Sequence, residues 1–247
     1  MITPAPGTLE GNRPIFAPDG RRVAFERAKT RYRRIPGGER LFYRSVAVWV
    51  TDLETGATTR ITPWHRGLSM EATSFSPDGS RLVATRSREG HPGPEVVLMN
   101  ADGSGPVVLA RGAIDAVFSP DGSKLAYLRL ETRGVTHNSH GDRGTARLQT
   151  TTDLYTMNPD GSDPRRLTHT PNKLEIWPSW DPSGQRLAVT RLRAGGLNAL
   201  LGTADSVAEL NADGSCPTVV LQADRRTALY GAAWQPGPGR GTGPIAC

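Results

Sequence analysis

The sequence predicts an all-β fold, a β-propeller of four-stranded antiparallel blades. Three observations carry that prediction. One phrase recurs as Pro14-Ile-Phe-Ala-Pro-Asp-Gly-Arg-Arg-Val-Ala-Phe-Glu-Arg27, and again over 73–86, 116–129 and 178–191, with a degenerate copy starting at Ala232-Ala-Trp-Gln-Pro236. A second phrase follows each full copy, as in Val96-Val-Leu-Met-Asn-Ala-Asp-Gly103. The aromatic landmarks Phe16, Phe75, Phe118, Trp180 and Trp234 are 59, 43, 62 and 54 residues apart, and the shortest spacing is close to one propeller blade.

The first phrase reads as a β-hairpin. An aromatic ends one strand, Ser-Pro-Asp-Gly turns the chain, and an apolar run such as Leu125-Ala-Tyr-Leu128 makes the next. Proline pre-sets its own φ, aspartate bonds back to the backbone, and glycine accepts positive φ. The second phrase is another hairpin: apolar strand, Asp-Gly turn, apolar strand, as in Asp153-Leu-Tyr-Thr-Met-Asn-Pro-Asp-Gly161 leading to Arg166-Leu-Thr168. Two hairpins make one four-stranded blade.

Four blades are expected over 14–63, 73–110, 116–168 and 178–222, within a single domain spanning 1–247. The tail 231–247 supplies part of a fifth. Ile2-Thr3-Pro4 repeats the strand-end phrase Ile61-Thr62-Pro63, so the N-terminus is expected to complete that last blade and close the ring. Closure removes the open sheet edges that invite aggregation. The inserted residues, 28–45, 87–94, 130–152 and 192–205, all fall between the second and third strands of a blade. One face of the disc is therefore expected to carry long loops, the usual site of binding in a repeat protein.

The alternation of Phe-Ser-Pro-Asp-Gly with Met-Asn-x-Asp-Gly-Ser, seen over almost the whole chain, resembles the TolB-type (WD-like) β-propeller repeat. A truncated six-bladed propeller of that type is the alternative to the five-bladed ring. The resemblance implies a bacterial protein. It also implies a fold that serves binding proteins, lyases and the propeller halves of peptidases alike.

Composition narrows this. The 247 residues carry a formal net charge of +6, which permits an anionic partner without naming one. The sequence contains no Gly-x-Ser-x-Gly elbow, Walker-type loop or dinucleotide fingerprint. Cys216 and Cys247 could meet if the C-terminal strand lies beside the fourth blade, but spacing alone leaves that open. No apolar run reaches transmembrane length, and no signal peptide is visible. A soluble cytoplasmic monomer is the expectation, or a periplasmic one, as TolB-like proteins are, if a leader has been removed.

Several side-chain sets are candidate sites. Arg27, Arg86, Arg129 and Arg191 each lie seven residues after a turn glycine and are expected to close the second strand of their blades. They fit inter-blade salt bridges, or a basic ring for an anion. Glu10, Glu71, Asp115 and Glu175 precede first strands at the channel mouth. They fit pairing with the arginines, while Glu71, Asp115 and Glu175 could instead converge on Ca²⁺ or another divalent ion. Arg13, Trp177 and Tyr230 hold matching mouth positions and could line a pocket.

Two loops complete the set. His137, His140 and Asp142 have metal-ligand types but no strong motif, and a flexible polar loop accounts for them. The basic stretch Arg27–Arg40 with Tyr32 invites nucleic acid, but a solvated β-hairpin extension accounts for it without a ligand. The reading that results is a non-catalytic module without a cofactor, binding a protein or peptide over the mouth. The alternative is a metal-dependent propeller lyase or hydrolase with carboxylates at that mouth.

Overall fold

A computed structural model describes residues 8–10, 14–35, 38–136, 146–193, 205–223 and 243–247. Every element among them is a β-strand. No helix among these residues is long and apolar enough to cross a membrane. The chain divides into two compact units, Met1–Phe118 and Ser119–Cys247.

The first unit holds two complete repeats. The first comprises β1 (Thr8–Glu10), β2 (Ile15–Phe16), β3 (Arg22–Ile35), β4 (Gly38–Asp52) and β5 (Thr58–Arg60). Both β1 and β2 pair antiparallel with β3, setting Glu10 opposite Arg27 and Phe16 opposite Val23. The first blade thus begins at Thr8 rather than at Pro14. The second repeat comprises β6 (Leu68–Phe75), β7 (Arg81–Arg88), β8 (Glu95–Asn100) and β9 (Val107–Arg111), antiparallel in chain order. A short parallel contact, Val46 opposite Ser69, joins the two repeats. Met70, Phe75, Leu82 and Met99 are buried with Ala24 and Val48 in the core between them. The unit ends with β10 (Ala113–Phe118).

The second unit opens on the turn Ser119–Lys124 and continues as β11 (Leu125–Thr136), β12 (Ala146–Met157) and β13 (Arg165–Arg166). Then β14 (Lys173–Trp180), β15 (Arg186–Arg193), β16 (Ser206–Asn211) and β17 (Thr218–Gln222) form a four-stranded antiparallel sheet in chain order. Leu125, Leu128, Leu154, Met157, Leu187 and Leu210 are its largest buried apolar side chains.

The turns behave as their residues dictate. Gly79 has φ +68° and Gly103 has φ +85°, conformations glycine reaches without strain. In the first turn type, Asp78 accepts hydrogen bonds from the Ser76 and Ser80 hydroxyls. In the second, Asn100 donates to Ser104 Oγ at 2.9 Å, and Asn158 and Asn211 donate to Ser162 and Ser215 in the same way. The residue after that serine is left-handed each time: Gly105, Asp163 and Cys216. The Asn-x-Asp-Gly-Ser phrase is therefore a hairpin turn with its polar atoms satisfied internally.

Two insertions expected as loops are continuations of hairpins. Strands β3 and β4 pair from Arg22–Asp52 out to Ile35–Gly38, and β11 and β12 from Leu125–Met157 out to Thr136–Ala146. Thr-rich and Tyr-containing sequence such as Gln149-Thr-Thr-Thr152 suits a pleated strand and carries the ladders onward. Arg27 and Arg129 accordingly sit inside long strands and do not end them, a correction to the expected boundary.

Cys216 and Cys247 form a disulfide, with Cα atoms 5.1 Å apart. Beside it the Ile245 backbone donates to and accepts from the Asn211 side-chain amide, so the C-terminal residues dock on the β16–β17 turn. The expected pairing of residues 1–5 with the tail, the fifth phrase at Ala232, and the residues Arg13, His137, His140, Asp142 and Tyr230 lie outside the described residues.

Candidate functional site

The site expected at the channel mouth is best built from the arginine set, because strand register decides what each guanidinium can reach. Arg86 in β7 is directly opposite Glu95 in β8. Its Nε and Nη2 both donate to Glu95 Oε2, at 2.9 and 2.6 Å. Arg111 donates to the other carboxylate oxygen. Burial works against the Glu95 charge, but Arg86, Arg111 and Arg88 together hold its carboxyl below the usual range.

Arg129 in β11 stands in the same register as Arg86, opposite Asp153 in β12. Here the acid is taken by Arg166, and by Thr170, whose backbone N–H donates to it at 2.7 Å. Arg129 is left over the Tyr155 ring, 5.8 Å from its centroid, while Tyr155 packs on Tyr127 at 5.6 Å.

Arg191 turns the other way. It is opposite Glu175 in β14, and its Nε and Nη2 donate to Glu175 Oε1 at 3.0 and 2.9 Å. Glu175 Oε2 accepts from the Leu154 backbone N–H and the Thr168 hydroxyl. Its own backbone is held by the Thr152 hydroxyl, which accepts from Glu175 N–H at 2.6 Å. Glu175 is fully buried, and burial, the largest influence on it, pushes its carboxyl up against these donors. Arg27 is held by rings, 4.6 Å from Trp49 and 5.5 Å from Phe25, and its Nε has no hydrogen-bond partner among the described residues.

Of the acids expected to share an ion, Glu71 and Asp115 both lie next to Thr85. Glu71 accepts from the Ser69 hydroxyl and stands opposite Thr85, one step out of register with Arg86. The Asp115 backbone N–H donates to Thr85 Oγ1 at 2.9 Å. Among the described residues, no group of three or more His, Cys, Asp or Glu side chains is placed to hold a metal ion.

Asp115 and Trp177 share an unusual feature. Each precedes its aromatic landmark by three residues, and each is left-handed, with φ 54°. At Trp177 the β14–β15 register shifts between Ile176 and Ser179. Such a bulge re-aims one side chain, and a non-glycine residue held at positive φ is strain that clusters at functional positions. Trp177 is half-buried.

Sequence reasoning missed Glu95, Asp153 and Arg166. A signal was available for the two acids: Glu95 opens β8 and Asp153 lies within β12, each immediately before an apolar run that starts at Val96 or Leu154. Counting antiparallel register from the turn places them opposite Arg86 and Arg129.

No family model matches the chain. Two curated relatives, Tol-Pal system protein TolB from two strains of Anaeromyxobacter dehalogenans, are 28% and 27% identical over 131 residues. That match covers 53% of this chain and 26% of each relative. The chain thus spans about a quarter of the length of the relatives it matches. Among solved structures, putative TolB from Agrobacterium tumefaciens superposes with TM-score 0.55 at 16% identity, covering 86% of this chain and 80% of that one. An oligogalacturonate lyase in complex with manganese also has TM-score 0.55, at 15% identity, covering 90% of this chain and 55% of that one. At such identities the likeness is one of fold.

Proposed function

We propose that this chain, a TolB-type β-propeller repeat protein, is a binding module that takes a protein or peptide partner through its second-to-third strand connections. The observation that carries the proposal is where the chain has grown. Strands β3 and β4 run for 14 and 15 residues and β11 and β12 for 12 each, against 8 and 6 for β7 and β8. All of that growth lies on the second-to-third side, and the Pro-Asp-Gly turns stay short. Extended hairpins add contact surface without disturbing the repeats.

Trp177 is the contact residue put forward first, with Arg13, which likewise precedes its aromatic landmark by three residues, and Tyr230, which precedes Trp234 by four. A strained, half-buried tryptophan combines low entropy cost with large contact area. Arg27, Arg86, Arg129 and Arg191 hold the same place in the repeat, and their ring and carboxylate partners hold them in fixed orientations for a partner to meet. The curated relatives are named for a Tol-Pal system, so a Pal or Tol protein is the first partner to try. The Cys216–Cys247 disulfide supports work in an oxidising compartment outside the cytoplasm.

The test is hydrogen exchange on the purified chain with and without a purified Pal protein, with gel filtration to establish whether the free chain is a monomer. Protection over 130–152 and around Trp177 is the expected result. Protection confined to the Ser-Pro-Asp-Gly turns overturns the reading.

A further inference from the structure

The first repeat gathers cations and rings on one face of its sheet. Phe25, Arg27 and Lys29 alternate along β3 and so share a face. Strand pairing sets Trp49 of β4 opposite Phe25 and Arg60 of β5 opposite Trp49, in one row across the sheet. Trp64, in the link after β5, meets Trp49 edge to face, with ring centroids 6.0 Å apart. The other face of the sheet, with Ala24 and Val48, is the one buried against the second repeat.

Each cation lies over a ring. Arg27 is 4.6 Å from the Trp49 centroid. Lys29 Nζ and the Arg60 guanidinium are 3.8 and 5.9 Å from the centroid of Trp64, so two positive groups share one indole. Rings attract cations, but the two charges still repel each other. The remaining polar groups are also donors. Among the described residues, Arg27 Nε, Trp49 Nε1 and Trp64 Nε1 are buried without a hydrogen-bond acceptor. A buried N–H left unpaired is costly, and a cluster made only of donors favours a partner that brings acceptors.

Register offers the two exposed cations no acid. Lys29 stands opposite Thr8 and Ser45, and Arg60 stands opposite Trp49. Glu10 stands opposite Arg27, so counting its carboxylate still leaves Lys29 and Arg60 over. Elsewhere in this unit the arginines answer acids, as Arg86 does Glu95, Arg21 does Asp52 and Arg22 does Asp19.

We infer that this face docks an acidic peptide segment of a protein partner. Lys29 and Arg60 take its carboxylates, and the complementary charge is what selects it. Single-stranded nucleic acid would stack its bases on open ring faces, whereas cations already lie over Trp49 and Trp64. The inference rests on the binding reading above, because β3 belongs to an extended hairpin, and it adds the chemistry of the partner.

The experiment is fluorescence anisotropy of a dye-labelled peptide of five consecutive glutamates, titrated with the purified chain. The same peptide with glutamines and a single strand of ten thymidines are run beside it. Saturable binding of the glutamate peptide is expected, with the glutamine peptide at least about tenfold weaker. Lys29→Ala with Arg60→Ala should weaken the glutamate peptide at least about tenfold, and both side chains are exposed, so cooperative unfolding should persist. Arg111→Ala with Arg165→Ala removes the same charge from side chains 76% and 71% exposed, each of which answers an acid, and should leave binding within about twofold. Absence of saturable binding, equal binding of the two peptides, equal losses in the two double variants, or tighter binding of the thymidine strand would each overturn the inference. Failure here is distinct from failure of the Pal experiment, which reads 130–152 and Trp177 rather than Lys29 and Arg60.

Discussion

Arg86 and Glu95 face each other across the β7–β8 ladder, and both Nε and Nη2 of the arginine converge on one carboxylate oxygen, Oε2. The other oxygen is held by Arg111. The Arg86 and Glu95 side chains are only 12% and 8% exposed, so removing the acid strands a poorly hydrated guanidinium. Glu95→Ala should destabilise the protein by about 2 kcal/mol in urea unfolding, somewhat below a fully buried pair. Arg111 is 76% exposed, and Arg111→Ala should lower stability by under about 1 kcal/mol. Equal effects of the two substitutions would mean that the Arg86 contact contributes nothing.

The Glu175–Arg191 pair is a sterner case, because the acid is fully buried. Glu175→Ala should cost about 3 kcal/mol or more, since it takes the acceptor from Arg191 and the Thr168 hydroxyl and leaves the Leu154 N–H only Thr168 Oγ1. The double variant Glu175→Leu with Arg191→Met should recover much of that loss, because an apolar pair needs no partners. A double variant as unstable as Glu175→Ala would show that packing, not charge, sets the cost.

Two turn glycines should respond very differently to the same change. A Cβ on Gly20 would meet nothing within 4 Å, so Gly20→Ala adds only left-handed strain of about 1 kcal/mol. A Cβ on Gly103 would lie 1.8 Å from the Ile61 carbonyl oxygen, which cannot move without its strand. Gly103→Ala should cost roughly 3 kcal/mol or more, read as a lower melting temperature. Comparable melting of the two variants would contradict the close approach of these turns to the neighbouring repeat.

The aspartates of the short turns set the acid limb of stability. Asp78 is brought down to about 2 by the Ser76 hydroxyl and by the Ser80 backbone and hydroxyl. Asp52 is brought down to about 2 by the Thr55 N–H and Arg21. A depressed carboxyl binds its proton more weakly in the folded state than in the unfolded one. Its stabilisation is therefore complete above about pH 4 and is lost as the pH falls towards 2. Asp78→Asn should flatten the stability curve across that window and leave its slope above pH 5 unchanged. An acid limb identical to that of the parent would show that this turn does not contribute.

What the amino-acid order determined by itself is the local part of this protein. Ser-Pro-Asp-Gly and Asn-x-Asp-Gly-Ser carry their own turn geometry, since Gly79 and Gly103 need positive φ and Asp78 and Asn100 close their loops within a few residues. Apolar alternation between such turns makes strands, and the repetition of both identifies the propeller repeat. The TolB-type resemblance rests on those same phrases. What only the tertiary structure decided is how side chains distant in sequence meet. The four arginines occupy one place in the repeat, yet Arg86 pairs with Glu95, Arg191 with Glu175, and Arg129 and Arg27 lie against rings. The difference comes from single-residue offsets: Glu71 falls one step out of register, and Asp153 is claimed by Arg166 before Arg129 can use it. The bulge that makes Trp177 left-handed and the disulfide that fastens the C-terminus have the same origin. A one-residue slip leaves a repeat phrase recognisable but moves a side chain to the opposite face of its strand, so register and packing, not composition, select the partner.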